Sequence, residues 1–287
     1  MIEGFAQALE HIEQHLDEEI EAAALARYTL SSEYHFRRIF SALAGMPLSE
    51  YIRRRRLTVA APLLAAGRET LLDVAVRSGY SSTEAFSRAF LAFHGITPGD
   101  ALRGKGPLRT QPRLRITLTL EGDRTMDYKI VNTPALNLVG FSTRVPLVHE
   151  GPNPAIEAFN QSVDRTTLVK LKELSDVEPR GVLSVTDNIS GDRSEGSELD
   201  YYLAVATTQD APEGLAVLPL PAGSWAVFSG EGPDTTTIQY LWRDIFTQWF
   251  PAHSYQSAPG PELLQTEYNS DYSLARFHIW VPIETPA

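Results

Sequence analysis

Arg38 and Arg88 stand fifty residues apart, each centred between two phenylalanines, in FRRIF and FSRAF. A guanidinium is a planar fork of donors that fits O6 and N7 of guanine, the commonest specific contact in a DNA major groove. Sliding the first hundred residues by fifty superimposes Ser31, Ser32, Phe36, Arg38, Phe40 and Gly45 on Ser81, Ser82, Phe86, Arg88, Phe90 and Gly95. One structural unit is therefore used twice. In each copy Phe36, Phe40 and Leu43, or Phe86, Phe90 and Phe93, follow the i, i+4, i+7 spacing of a buried helical stripe. The opposite face carries Tyr34, Arg37, Arg38 and Ser41 in the first copy, and Thr83, Glu84, Ser87 and Arg88 in the second. A single amphipathic helix with such a face is more simply read as solvated. Two copies in register favour base reading in the groove.

A second set of residues suits a small molecule. In LDYYLAVAT the strand period of two puts Leu199, Tyr201, Leu203 and Val205 on one side, under helices, and Asp200, Tyr202, Ala204 and Ala206 on the other. In ARFHIWVP, Phe277, Ile279 and Val281 oppose Arg276, His278 and Trp280. A face of Tyr, Trp, His and small residues suits the wall of a ligand cavity. Trp225 and Trp280 on strands are the ligand candidates, whereas Trp242 and Trp249, at helical i, i+7 spacing, read as packing.

The elements that position these residues read as follows. Each repeat is a short apolar helix (ALARY; DVAVRS), a tight turn, a serine pair fit to cap, and a second helix, which is helix-turn-helix grammar. SEYIRRRRLTVAAPLLAAG joins the copies as one helix with Arg53 to Arg56 in a row. At most two of these can face one DNA backbone, the others being solvated or paired with acids, and Pro62 is a potential kink. Strands are expected near 114–120, 127–131, 136–145, 181–187, 199–207, 224–229, 263–268 and 275–283, with helices near 154–175 and 235–250. The whole reads as an all-α N-terminal domain with two helix-turn-helix motifs, then an α+β domain of antiparallel sheet with two helices in duplicated halves. The boundaries are 1–103, a linker at 104–125 rich in Gly, Pro and Arg, and 126–287.

Charge follows that division. Residues 1–21 hold seven acids and no Lys or Arg, residues 22–115 balance at +9, and residues 116–287 at −13, so the total of −11 hides a basic segment fit for an anionic partner. The 287 residues include no cysteine, which excludes disulfides, thiolate zinc and a cysteine nucleophile. An acidic N-terminus and the lack of 18 consecutive apolar residues point to a cytoplasmic protein without a membrane partner. His11 and His15 have metal-pair spacing but no third ligand, so no metal and no cofactor are expected. Glycine loops of phosphate-binding spacing and serine-hydrolase elbows are missing, and no catalytic residue is assigned.

On SSEYHFRRIFSALAGMPLSEYIRRRRL and DVAVRSGYSSTEAFSRAFLAFHGITP, the first part resembles the AraC/XylS-type transcription regulators over about residues 7–103. The resemblance implies groove contacts by Tyr34, Arg37, Arg38, Thr83, Glu84 and Arg88 on promoter DNA, with RNA polymerase as a further partner. Glu84 stands where amides are common in the family, which bears on base preference. MDYKIVNTPALNLVGFSTR, AGSWAVFSGEGP, LWRDIFTQWFPAHSY and RFHIWVPI resemble, in that order, the GyrI-like effector-binding domain of the Rob-like regulators. That likeness implies multidrug-type binding of a small apolar or aromatic effector, cations included, at Tyr202, Trp225, Glu267, Tyr268, His278 and Trp280. The family's pocket glutamate falls on Thr266 if Tyr268 is aligned with the family's tyrosine, or on Glu267 after a slip of one; Glu267 is preferred. Since one chain carries both reading helices, a monomer could span groove segments about 34 Å apart. The expected function is effector-controlled DNA binding rather than an enzyme. The alternatives are a small-molecule hydrolase, with Glu267 and Tyr202 as acid and base, and a sequestering protein.

Overall fold

The computed structural model describes residues 2–115, 125–148, 151–191, 193, 195–232, 235–269 and 274–284. The chain divides into two compact units, Met1–Leu120 and Glu121–Ala287. Among its described residues the first contains seven helices: α1 (Ile2–Gln14), α2 (Ala22–Tyr28), α3 (Glu33–Ala44), α4 (Leu48–Ala66), α5 (Leu71–Arg77), α6 (Thr83–His94) and α7 (Pro98–Leu102). The strand expected near 114–120 lies, from residue 116 on, outside the described residues, and Leu114 and Arg115 are not in a strand.

The repeat is visible in how α3 and α6 start and stop. The Ser32 and Ser82 side chains accept from the backbone N–H of His35 and Ala85, each at 3.2 Å. Gly45 and Gly95 end the helices in the left-handed region, at φ 65° and 79°, where glycine meets no Cβ penalty. Phe36, Ile39 and Phe40 are buried in one copy, Phe86 and Phe90 in the other. Leu43, read as part of the first stripe, is instead 50% exposed; Ile39, one turn earlier, takes its place in the core.

Helix α4 runs unbroken through Pro62, which lies on its exposed side, where water can replace the donor that the ring removes. The four arginines are all engaged. Arg53 and Arg54 both bond Glu50 on their own helix, while Arg55 and Arg56 turn inward. Arg55 gives Nε and Nη2 to the Glu13 carboxylate at 2.8 and 2.7 Å and Nη1 to the Gln111 carbonyl at 2.6 Å. Tyr51 donates to Glu13 at 3.0 Å and accepts from the Leu114 N–H at 3.1 Å. Arg56 donates to the carbonyls of Leu16 and Glu18. Its guanidinium crosses Gly79 so closely that a Cβ there would come within 2.4 Å of Nη1. The basic run thus clamps α1 and residues 111–114 onto α4.

Electrostatics follow from that clamp. Burial pushes the Glu13 carboxyl up, but the bonds from Arg55 and Tyr51 outweigh it and hold the group below the usual carboxylate range. Burial raises the Tyr51 phenol to about 12. At the middle of α4, His94 accepts the Arg109 N–H at Nδ1 (3.2 Å), so Nε2 carries the proton donated to the Leu57 carbonyl (3.1 Å). Residues 109–114 of the expected linker are therefore bonded to the helices.

The described residues of the second unit form one nine-stranded antiparallel sheet with helices: β1 (Asp127–Thr133), β2 (Leu136–Pro146), β3 (Leu183–Asp187), β4 (Glu198–Thr207), β5 (Ala216–Leu220), β6 (Gly223–Gly232), β7 (Gln256–Ser257), β8 (Glu262–Tyr268) and β9 (Ala275–Glu284). The order is β1-β6-β9-β8-β3-β4-β2-β5, with β7 beside β9. Its halves match strand for strand around the central β8–β3 pair, yet they exchange their outer strands: β1 pairs β6 of the second half and β5 pairs β2 of the first. Strand β5 is not among the expected strands, because its Pro219 argues against a central strand; on this edge the proline is tolerated. Strand β7, two residues long, is not among them either.

The helix expected near 154–175 is two, α8 (Pro154–Ser162) and α9 (Arg165–Glu173), because Asp164 caps a new start by accepting from the Thr167 N–H at 3.0 Å. The other, α10 (Thr235–Asp244), continues through a π-turn at Ile245–Trp249 into α11 (Phe250–Ala252). Val145, Leu199, Tyr201 and Leu203 pack against α8 and α9, as parity required.

Breaking a buried ion pair strands a charge, so Arg55→Ala costs about 3–5 kcal/mol by chemical denaturation of the full chain. The double replacement Glu13→Leu with Arg55→Met recovers most of that. A single variant as stable as the parent would show that the pair does not hold the unit together.

Candidate nucleic-acid interface and ligand face

Helix propensity and capping fix α3 and α6, but their surroundings differ. On α6, Glu84 and Arg88 are exposed and Thr83 and Ser87 half-buried, so this face is open to a partner. On α3, Tyr34 and Arg37 are half-buried, and Arg37 Nε is bonded to Glu33 at 2.8 Å. Arg38, at the repeat position of Arg88, is 8% exposed, with its guanidinium 5.9 Å from the centre of the Tyr34 ring. His35 beside it is also buried. Desolvation first, and the Arg38 charge second, push its imidazole down to about 4. The equivalence in sequence therefore does not extend to equal access, because α3 buries His35 and Arg38 in addition to its aromatic stripe.

His11 on α1 and His15 just past its end stack at 4.1 Å; His11 Nδ1 meets the Tyr28 hydroxyl at 3.2 Å and His15 Nδ1 the His11 carbonyl at 2.8 Å. Their contacts are those of helix packing. Among the described residues no cluster of three or more metal-ligating side chains occurs, and no helix is long and apolar enough to cross a membrane.

In the sheet, directly paired residues share a face. Val227 pairs Trp280, Leu263 pairs Trp280, Val185 pairs Leu263, and Tyr202 pairs Val185. These form one row across both halves, on the side away from the helices. Around it Leu138, Leu183, Ala204, Ala206 and Trp225 close a buried cluster, with Tyr202 packed against it. The Trp225 and Trp280 rings meet edge to face at 6.3 Å, and Trp225 Nε1 donates to Thr133 Oγ1 at 2.9 Å. Burial, with the charges of Asp200 and Asp187, raises the Tyr202 phenol. His278, in the next row, bonds Ser229 through Nδ1 at 2.9 Å and lies opposite Gln265.

The other tryptophans lie on the helix side. Trp249 is buried against Phe228 (4.9 Å) and Tyr128 (5.0 Å), and Trp242 stacks on Phe246.

Register also separates the two readings of β8. Glu267 pairs Arg276 and shares the Trp280 face, at its exposed outer end; Thr266 pairs Phe277 and faces the helices. Tyr268 shares the Thr266 side and is 61% exposed. The structure thus brings Tyr202, Trp225, His278 and Trp280 onto one face, sets Glu267 at its rim, and leaves Tyr268 off it. Gln265, which the sequence reading passed over, is the buried polar side chain of that face among the described residues; its Nε2 donates to the Arg180 carbonyl at 2.9 Å. Its parity with Leu263 was the signal available.

Residues 126–284 match the GyrI-like small molecule binding domain, and residues 25–104 a helix-turn-helix domain. The regulatory protein SoxS of Salmonella typhimurium is 34% identical over 92 residues, 32% of this chain and 86% of that protein. The transcriptional activator AarP of Providencia stuartii is 33% identical over 93 residues, 32% of this chain and 69% of that protein. Among solved structures, that of SAV2435 bound to tetraphenylphosphonium is 18% identical with a TM-score of 0.45, covering 55% of this chain and 94% of that one.

An unfolded histidine titrates near 6.5 and folded His35 near about 4, so between these values the unfolded state takes up a proton that the folded state refuses. Stability therefore falls as pH drops through that window, by about 3 kcal/mol when complete. Urea midpoints of the full chain at pH 7, 5 and 4 should drop further for the parent than for His35→Gln. Parallel curves for the two proteins would rule this contribution out.

Proposed function

The chain belongs to the GyrI-like family and is an AraC-type DNA-binding transcription regulator, and we propose that an effector bound on the aromatic face of its second unit controls that DNA binding. The observation that carries the effector half is the Trp225–Trp280 pair with Tyr202, on a sheet face that turns away from the helices. Aromatic walls supply large contact area at small entropic cost, which suits an apolar or aromatic small molecule. On this reading the protein is a sensor rather than an enzyme, as its relatives are regulators.

For DNA, exposed Arg88 is the principal base reader, with Thr83, Glu84 and Ser87 around it; Glu84 can accept from a cytosine amino group. In the first copy Tyr34 and Arg37 are the accessible members of the expected set, and Arg38 acts from within the fold by holding the helix they stand on. Arg53 and Arg54, at 43% and 38% side-chain exposure, remain for phosphate contact, whereas Arg55 and Arg56 are structural.

Arg88→Ala should weaken binding to a selected promoter fragment by about 1–3 kcal/mol and relax base preference in one half of the footprint. Arg53→Ala should flatten the slope of log affinity against log salt while leaving the preferred sequence unchanged. A normal footprint for Arg88→Ala at moderate salt would remove α6 from the groove, and an unaltered slope would remove Arg53 from the phosphates.

A further inference from the structure

The Trp280 side chain is 3% exposed, and its Nε1 has no acceptor among the described residues. A buried donor without a partner is costly, and few survive in folded proteins without a reason. Trp249 Nε1 shares this condition on the helix side, but it sits among the rings of Tyr128, Phe228, Phe250, His253 and Tyr255. Among the described residues the ring that Trp280 contacts is that of Trp225, whose own N–H is committed to Thr133.

Among the described residues the charged groups of the same face lie in its outer rows or, as exposed Asp127 and Lys129, on edge strand β1, where Lys129 stands in the row of Val227 and Trp280. At one end Arg144 donates to Asp200 at 2.7 Å; at the other Arg276 stands opposite Glu267 and lies 3.4 Å from Glu231. Between them the buried polar side chain is an uncharged amide, Gln265, held by the Arg180 carbonyl and lying opposite His278. Asp187, opposite Asp200 at the edge of the face, is pushed toward its neutral form by burial and then by the Asp200 and Glu262 charges.

From these placements we propose that the face binds an uncharged aromatic ligand whose hydrogen-bond acceptor takes the Trp280 N–H, with Gln265 setting the preference for neutral over cationic molecules. This rests on the reading of the second unit as an effector-binding domain. A cation would have to leave water for a centre whose buried polar groups are an amide and an indole donor, with cation–π contact from the rings but no carboxylate to offset its desolvation. A neutral oxide or ketone meets the donor and strands nothing.

The test uses the full chain and calorimetric titration with three probes of similar size: triphenylphosphine oxide, triphenylmethanol and methyltriphenylphosphonium. The oxide, the strongest acceptor, should bind tightest, and Trp280→Phe, which keeps the ring and removes the donor, should weaken it about tenfold. Gln265→Glu should shift the order toward the phosphonium, and because Gln265 borders the apolar cluster without belonging to it, this variant gives a second readout if Trp280→Phe fails to fold. Tightest binding of the phosphonium to the parent chain, lost in Asp187→Asn or Glu267→Gln, would overturn the proposal while leaving effector binding intact. Oxide affinity unchanged in Trp280→Phe would overturn it as well. Failure of all three probes to bind would count against the effector reading itself.

Discussion

The helical unit depends on one buried carboxylate. Glu13 and Arg55 have side chains 4% and 7% exposed, and each would be untenable there alone. Their pairing fixes α1 against α4, and Tyr51 and the Gln111 carbonyl extend it to the strap at 111–114. Arg113 adds a contact to Glu13 from outside, at 3.1 Å. Both recognition-type helices pack on α4, so their placement rests on an interaction that lies outside the proposed base-reading set. The acid-rich first segment, which looks ill suited to a DNA-binding chain, supplies the counter-ion that lets Arg55, one of a run of four arginines, sit in the core.

Legibility in the sequence followed the range of the physics. Caps, helix terminators and the strand period are local, and Ser32, Ser82, Gly45, Gly95 and the two faces of β4 could all be read from spacing. The fate of Arg38 could not. It shares its local pattern with Arg88, yet it is buried where Arg88 is exposed, a difference that no repeat offset encodes. The same holds for Arg55, whose partner is 42 residues away. That some of the four arginines would pair with acids was inferable from the directions of consecutive side chains; which acid was not.

In the sheet, parity within a strand was readable and register between strands was not. Thr266 and Glu267 were open alternatives until pairing with β9 put Phe277 behind one and Arg276 beside the other. Gln265 escaped notice because glutamine in a strand carries no chemical signature. Its meaning comes from lying opposite His278, a residue from another strand. Edge strand β5 was masked by its own proline.

The exchange of β1 and β5 between the halves has a mechanical meaning. Each half holds a strand whose hydrogen-bonding partners are in the other, so neither can peel away without opening ladders in both. Pairs such as Tyr128 with Phe228 join positions a hundred residues apart, which makes the sheet slow to assemble and cooperative once assembled. A chain cut in the turn between β4 and β5 would yield pieces that lock together rather than drift apart. Tyr202 comes from one half and the tryptophans from the other, so a molecule seated between them presses on a single interlaced body, and strain at its face is shared by every strand.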